Sequence, residues 1–408
     1  MSEETGISVE TGKEMILLLR DGAAIGEGKL PGRRESFHSW EKLYRLAGRN
    51  SVEAAAWLGA KRYQEEMPEA VRTSWKKDSD RTLLRQLHFD TEREEILKEL
   101  EKEGISYLPL KGILISGYYP RPGMRSMADN DILYGIIQRE GAGWKVSGRD
   151  EKEQERTALQ AQKKLVALME GRGYWTENLK GNHDTFHRKP FYNFEMHRKL
   201  MSASSEQGDY YRNPWERACQ DQENPFHFYF SDEDEYLYLI THDFKHYDGS
   251  GCGIRMVLDL HYFLRKKGGT LDWDYVEREL EKLKLRDFER KLKRAAEEMF
   301  REGELSEETE SFLLYLLGCG TYGTQSEKIR RRLDRLDQGN RKKARRDYVR
   351  ERFFPDRGTV RENFPFFARH RYLLWLLPVY RLGRGLVKNR RNLIRELRLL
   401  WVDRRNEE

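Results

Sequence analysis

The chain has 408 residues, of which 38% are hydrophobic, 12% aromatic and 35% charged, with a formal charge of +6. That length exceeds what one small core can use, and the supply of aromatics argues for a packed globular protein over a disordered one. No stretch reaches the roughly 20 consecutive apolar residues of a spanning helix. No N-terminal apolar segment reads as a signal peptide, and Cys219, Cys252 and Cys319 are too widely spaced for a metal knuckle. A reduced, cytoplasmic compartment is the simplest expectation.

Residues 1–35 are Gly-rich, with a helix expected only around Met15–Arg20 and a loosely held start. From Ser39 the apolar spacing turns helical through Trp40, Leu43 and Leu46, then Val52–Arg62. Asp80–His88 and Thr91–Glu103 read as two further helices, the second stopped by Gly104. Residues 1–103 are thus expected as an N-terminal helical region.

The stretch 105–137 changes character: a short apolar run, a Lys111-Gly112 turn opening a brief helix, a Pro/Gly-punctuated loop, and a second apolar run headed by Asp129 and Asp131. Residues i and i+2 of a strand share a face, so both carboxylates point the same way. Gln138–Asp150 reads as a polar surface loop, and Lys152–Gly171 as a helix ended by Gly. Thr185–Lys199 reads as a strand with Tyr192, Phe194 and Met196 on its core face and Phe191, Asn193, Glu195 and His197 on the other. Residues 104–200 are therefore expected to hold a small mixed β-sheet core.

From Asp232 the pattern is helical to the end, making 201–408 a C-terminal helical domain. The expected class is α+β, a small mixed sheet with helices embedded in a largely helical protein. His242, Lys245 and His246 share one face of the helix Asp232–Tyr247, and Arg255 and Asp259 fall at i, i+4 after a Gly-rich turn. Lys245, His246 and Arg255 are candidate contacts to an anionic substrate. The basic charge is concentrated late. Lys328–Arg352 carries a net +8 and Arg381–Arg405 a net +7, leaving −9 elsewhere. That region could meet a nucleic acid through its phosphates. The Leu spacing of Arg381–Arg405 also fits docking on the body, a partner or a membrane surface.

The chemistry converges on 105–197. Backbone N–H groups at Lys111-Gly112 suit a phosphate, and Gly112 admits close approach. Asp129 and Asp131 offer hard oxygen ligands for Mg²⁺, with Mn²⁺ the alternative ion, and Glu195 stands on a later strand. Three carboxylates around a triphosphate match the needs of two-metal phosphoryl or nucleotidyl transfer.

The residues Leu110-Lys111-Gly112, Tyr119-Pro120, Arg125, Asp129-Asn130-Asp131, Asn193-Phe194-Glu195-Met196-His197 and Pro378-Val379-Tyr380-Arg381 occur in this order. Together they resemble the uncharacterised nucleotidyltransferases of the polymerase-β-type superfamily. The resemblance implies transfer of a nucleoside monophosphate from an NTP to a hydroxyl acceptor, with Asp129, Asp131 and Glu195 as catalytic metal ligands. Lys111, Gly112 and Arg125 are then the nucleotide-binding residues. The turn reads Gly112-Ile113 where the superfamily usually has Gly-Ser or Gly-Gly, so Lys111 inherits the phosphate contact of the hydroxyl. The acceptor is open: a small molecule, a protein side chain or an RNA. Two other readings stand beside this one, an inactive nucleotide- or partner-binding module and, from His242-Asp243, a metal-dependent phosphohydrolase.

Overall fold

The computed structural model describes residues 7–32, 37–179, 181–202, 205–355 and 357–388, together with Glu396 and Leu400. It divides into two compact units. The first comprises residues 1–242 and 253–321, the second 243–252 and 322–408. The class is α+β, a small mixed sheet among many helices.

The first unit opens with α1 (Val9–Gly26), capped by Ser8, which is deeply built in rather than loosely held. Met15, Ile16, Leu18 and Leu19 are buried. The Gly-rich composition that suggested a weak start serves a close helix crossing. A Cβ on Gly22 would lie 2.2 Å from the Ala55 carbonyl oxygen, and one on Gly59 would lie 2.2 Å from that of Leu18. Next come α2 (Trp40–Arg49), α3 (Glu53–Ala60) and α4 (Glu69–Lys102). The two helices expected over 80–103 are one helix of 34 residues. No Gly or Pro interrupts it, and good helix formers carry it through.

The central sheet begins with β1 (Ser106–Pro109), followed by the four-residue α5 (Gly112–Ile115) and β2 (Asn130–Gly135). Then the expected surface loop is instead a hairpin of β3 (Ile137–Glu140) and β4 (Gly143–Val146), turning through Gly141 and Ala142. A tight turn and too few apolar residues hid it. Asp150 caps α6 (Glu151–Gly171), and β5 (Trp175–Asn178) follows. The single strand expected over 185–199 is a hairpin, β6 (His183–Arg188) and β7 (Tyr192–His197), turning at Lys189-Pro190. Proline cannot continue a ladder, so it marks the turn.

Strand order is β1-β2-β7-β6-β5, with β2 and β7 parallel and every other pair antiparallel. Ile132, Tyr134, Phe186, Phe194 and Met196 pack against Leu165 and Met169 of α6 and Ile96 and Leu100 of α4. One face of the sheet is therefore core, and alternation turns the other toward the polar residues of β2, β6 and β7. Asn130, on the core face, accepts a hydrogen bond from Arg93 Nη1 at 3.0 Å.

A short ladder of β8 (Ala218–Gln220) and β9 (Phe228–Phe230) leads to α7 (Asp232–Gly249), α8 (Arg255–Lys267), α9 (Trp273–Leu283), α10 (Arg286–Phe300) and α11 (Glu307–Cys319). The last residues of α7 belong to the second unit.

The second unit holds α12 (Gln325–Leu336) and α13 (Arg341–Phe353), capped by Thr324 and Asn340, and shorter helices beyond. Much of its positive charge is matched internally. Arg330 and Arg331 pair with Glu327, Arg332 with Glu351, Arg335 with Asp248, Arg341 with Asp334, and Arg352 with Glu396. Most of the stretch 381–405 lies outside the described residues.

Candidate active site

The site grows from the register of two strands far apart in sequence. Asp131 of β2 sits opposite Glu195 of β7, and Leu133 opposite His197. On the other side of β7, Glu195 faces Thr185 and His197 faces His183 of β6. Asp129, immediately before β2, joins the same face. The sheet thus presents Asp129, Asp131, Glu195, His197 and His183 on one patch opposite the core.

Lys111 fills the centre of this patch. Its Nζ lies 2.6 Å from Asp131 Oδ1, and His197 Nε2 lies 2.7 Å from the same oxygen. Burial pushes the Asp131 carboxyl up, but the ammonium of Lys111 and the hydrogen bond from His197 outweigh it and hold it well below its ordinary value. Lys111 is driven the other way: burial lowers it, and Asp131 more than compensates, keeping it firmly protonated. His197 is lowered to about 4 by burial and by the Lys111 charge, so its imidazole is neutral at neutral pH. Its Nε2–H then donates to Asp131.

Asp129 is unlike its neighbours. It has no hydrogen-bond or ion-pair partner among the described residues. Burial, with the charges of Asp131 and Glu195, raises it to about 7. A carboxylate held beside two others with no donor of its own is a group that a dication would satisfy. By donor chemistry, Asp129, Asp131 and Glu195 offer hard oxygen ligands of the kind a divalent ion takes.

The backbone is bent to deliver Lys111. Its φ of 51° and ψ of −119° lie in a region that residues with a Cβ rarely adopt. Such strain, of order 1–3 kcal/mol, persists only where surrounding contacts enforce it. Gly112 follows for a steric reason: a Cβ there would stand 2.5 Å from Arg125 Nη1. Because α5 is only four residues long, its dipole is small. A phosphate held at this turn would be met by the backbone N–H groups and Lys111.

The loop from Tyr119 to Asp129 is anchored along its length. Arg125 is buried and makes a two-pronged pair with Asp259 of α8, Nε to Oδ1 at 2.9 Å and Nη2 to Oδ2 at 2.8 Å. Tyr119 donates to the same Oδ1 at 2.7 Å. Gly123 N–H donates to Gln86 Oε1 at 2.6 Å, and Ser126 Oγ to Glu53 Oε1 at 3.0 Å. Arg255 reaches the Ser126 carbonyl at 3.2 Å and lies within electrostatic reach of Asp129. Asp259 thus serves Arg125, not the Arg255 four residues before it.

The structure brings Lys111, Gly112, Arg125, Asp129, Asp131, Glu195 and Arg255 together. Lys245 and His246 fall in the second unit. Three residues of this neighbourhood were not singled out as site residues: His183, His197 and Tyr238. The Tyr238 hydroxyl is buried without a hydrogen-bond partner among the described residues, and burial raises it to about 12 with Lys111, Asp131 and Glu195 in electrostatic range. The signal for His197 was its place two residues after Glu195. For His183 it was the hairpin, which only a turn at Pro190 reveals. Among the described residues, the one grouping of three His, Cys, Asp or Glu with metal-binding proximity is His183, Glu195 and His197. The His242-Asp243 pair is not part of it.

The description of the uncharacterised nucleotidyltransferase family matches residues 37–143 and 158–301, more than half of the chain. The chain belongs to this family. All the site residues of the first unit named above fall within the matched segments, whereas Pro378–Arg381 lies beyond them. Membership supports a general nucleotidyltransferase role. Comparison with curated proteins and with solved structures gives no match. No helix among the described residues is long and apolar enough to cross a membrane.

Proposed function

We propose that this nucleotidyltransferase family member transfers a nucleoside monophosphate from an NTP to a hydroxyl acceptor in a reaction dependent on Mg²⁺, or Mn²⁺ in its place. The observation that carries this reading is the adjacency of three carboxylates on one sheet face, with no hydrogen-bond or ion-pair partner for Asp129 among the described residues. Asp129, Asp131 and Glu195 would hold the ions, which supply charge neutralisation at the phosphates and a more acidic acceptor hydroxyl.

The chain's own groups do the remaining work. Lys111 and the backbone of Gly112 grip the terminal phosphates, Lys111 leaving Asp131 as it does so. Arg125 holds the acid loop in place through Asp259, and Arg255 steadies it at Ser126. The acceptor oxygen attacks the α-phosphorus, its proton passes to the Glu195 carboxylate, and the bond to the bridging oxygen breaks to release pyrophosphate. Electrostatic preorganisation, more than covalent chemistry, accounts for catalysis of this kind.

Calorimetry with each NTP tests it. Binding that requires Mg²⁺ is expected, and it should be lost in Asp129→Asn. Tight NTP binding that is indifferent to Mg²⁺ and to this substitution would contradict the reading and favour a binding module.

A further inference from the structure

The carboxylate of Glu195 faces two different neighbourhoods. Toward β2 it meets Asp131, its register partner, and the donors there are all oxygen. Toward β6 it meets two imidazoles. His183 Nε2 and His197 Nε2 each lie 3.8 Å from Glu195 Oε2, and one ligand atom from each of the three residues falls within 4.8 Å of the others.

These separations are too long for hydrogen bonds between Glu195 and either ring. They are near the span of two ligands on one ion: donors about 2.1 Å from a tetrahedral centre stand roughly 3.4 Å apart. The set closes if the three ligand atoms draw in from their present separations of up to 4.8 Å and His197 Nε2 gives up its hydrogen bond to Asp131, the ring proton moving to Nδ1, which has no partner among the described residues. The strands fix it in place. His183 and His197 are register partners on adjacent antiparallel strands, and Glu195 is two residues before His197 on the same face. The rings lie 5.1 Å apart between centroids. Imidazole nitrogen suits Zn²⁺, Co²⁺ and related transition ions and serves Mg²⁺ poorly.

We infer that His183, His197 and Glu195 form a second cation position that takes a divalent transition ion of the zinc and cobalt class, beside an all-oxygen position at Asp129 and Asp131. The inference rests on the reading of Glu195 as a metal ligand, and Glu195 becomes the carboxylate shared by two chemically different ions. The protein would then respond to transition-ion supply as well as to Mg²⁺.

The test uses the full chain without a histidine tag, stripped with chelator and titrated with Co²⁺. The visible absorption of an imidazole-ligated Co²⁺ ion is expected in wild type, bleached by added Zn²⁺. His183→Ala should weaken Co²⁺ binding about 10-fold or more. His187→Ala should leave the spectrum intact, since that ring, on the same strand as His183, pairs with Glu177 of the neighbouring β5 at 2.6 Å. Metal-free melting of both variants checks that the fold is kept, and a Zn²⁺-induced rise in melting temperature should appear in wild type and vanish in His183→Ala. No Co²⁺ spectrum in wild type, or equal spectra in wild type and His183→Ala, would overturn the inference. So would loss of the spectrum in both variants. Failure here with Mg²⁺-dependent NTP binding intact removes the transition-ion position and leaves the transfer reading standing.

Discussion

Lys111 Nζ stands 2.6 Å from Asp131 Oδ1, at the middle of a face that carries two more carboxylates. Asp131 is buried and Lys111 nearly so, and His197 completes the arrangement at 2.7 Å. A lysine thus supplies the positive charge that a cluster of three acids requires.

Lys111→Met should therefore make stability depend on metal. Removing one member of a buried ion pair costs about 3–5 kcal/mol, because the other charge is left uncompensated. The variant should melt well below wild type in chelator and recover more of the gap than wild type does when Mg²⁺ is added. Equal melting of the two proteins in chelator would show that Lys111 does not neutralise the cluster.

Arg125 and Asp259 form the pin that fixes the acid loop to α8. The pair is nearly dry, with relative side-chain exposures of 9% and 8%, so solvent offers little replacement for a lost partner. Arg125→Ala should cost about 3–5 kcal/mol in urea unfolding. Arg125→Lys should recover little, because an ammonium cannot make the two-pronged contact. A double-mutant cycle with Asp259→Asn separates the pair from its surroundings. A coupling near zero would mean that the loop is held by its other anchors.

The crossing of α1 and α3 is expected to admit no side chain. Gly59→Ala places a methyl against backbone, which cannot rotate aside. Overpacking of this kind costs about 1–3 kcal/mol and more where backbone must shift. Gly28→Ala has open space around it, although its φ of +82° adds strain, and should be milder. A chemical denaturation series across Gly22→Ala, Gly59→Ala and Gly28→Ala checks the ranking.

Glu92 links stability to pH. Burial pushes its carboxyl up, but Arg188 and Arg172 bind it and hold it below its ordinary 4.5. Arg188 Nη2 is 2.7 Å away and Arg172 Nη2 2.9 Å. A folded value below the unfolded one means that the stabilisation is complete above about 4.5 and disappears as pH falls through the lowered value. The difference in melting temperature between wild type and Glu92→Gln should be largest at neutral pH and shrink below pH 4.5. A difference that stays constant across that range would exclude the linkage.

The alternation of Asp129, Asp131, Glu195 and His197 was legible because period two leaves a direct mark on sequence. The pairing that joins them was not. His197 and Asp131 are 66 residues apart, separated by the β3–β4 hairpin, the long helix α6 and the strands β5 and β6. Nothing local announces that β2 and β7 run side by side. Asp259 shows the same limit: helical spacing ties it to Arg255, whereas the fold gives it to Arg125, 134 residues earlier. Propensity failed where tertiary contacts decided, as in the Gly-rich α1 and the polar hairpin over 137–146.

Transfer of label from an NTP carrying radioactive α-phosphate tests the central claim most directly. Wild-type protein, cell extract and Mg²⁺ should place label on an acceptor, and chelator should prevent it. The Asp129→Asn, Asp131→Asn double variant, shown to be folded by circular dichroism, should place none. Undiminished labelling by the folded double variant would contradict the account.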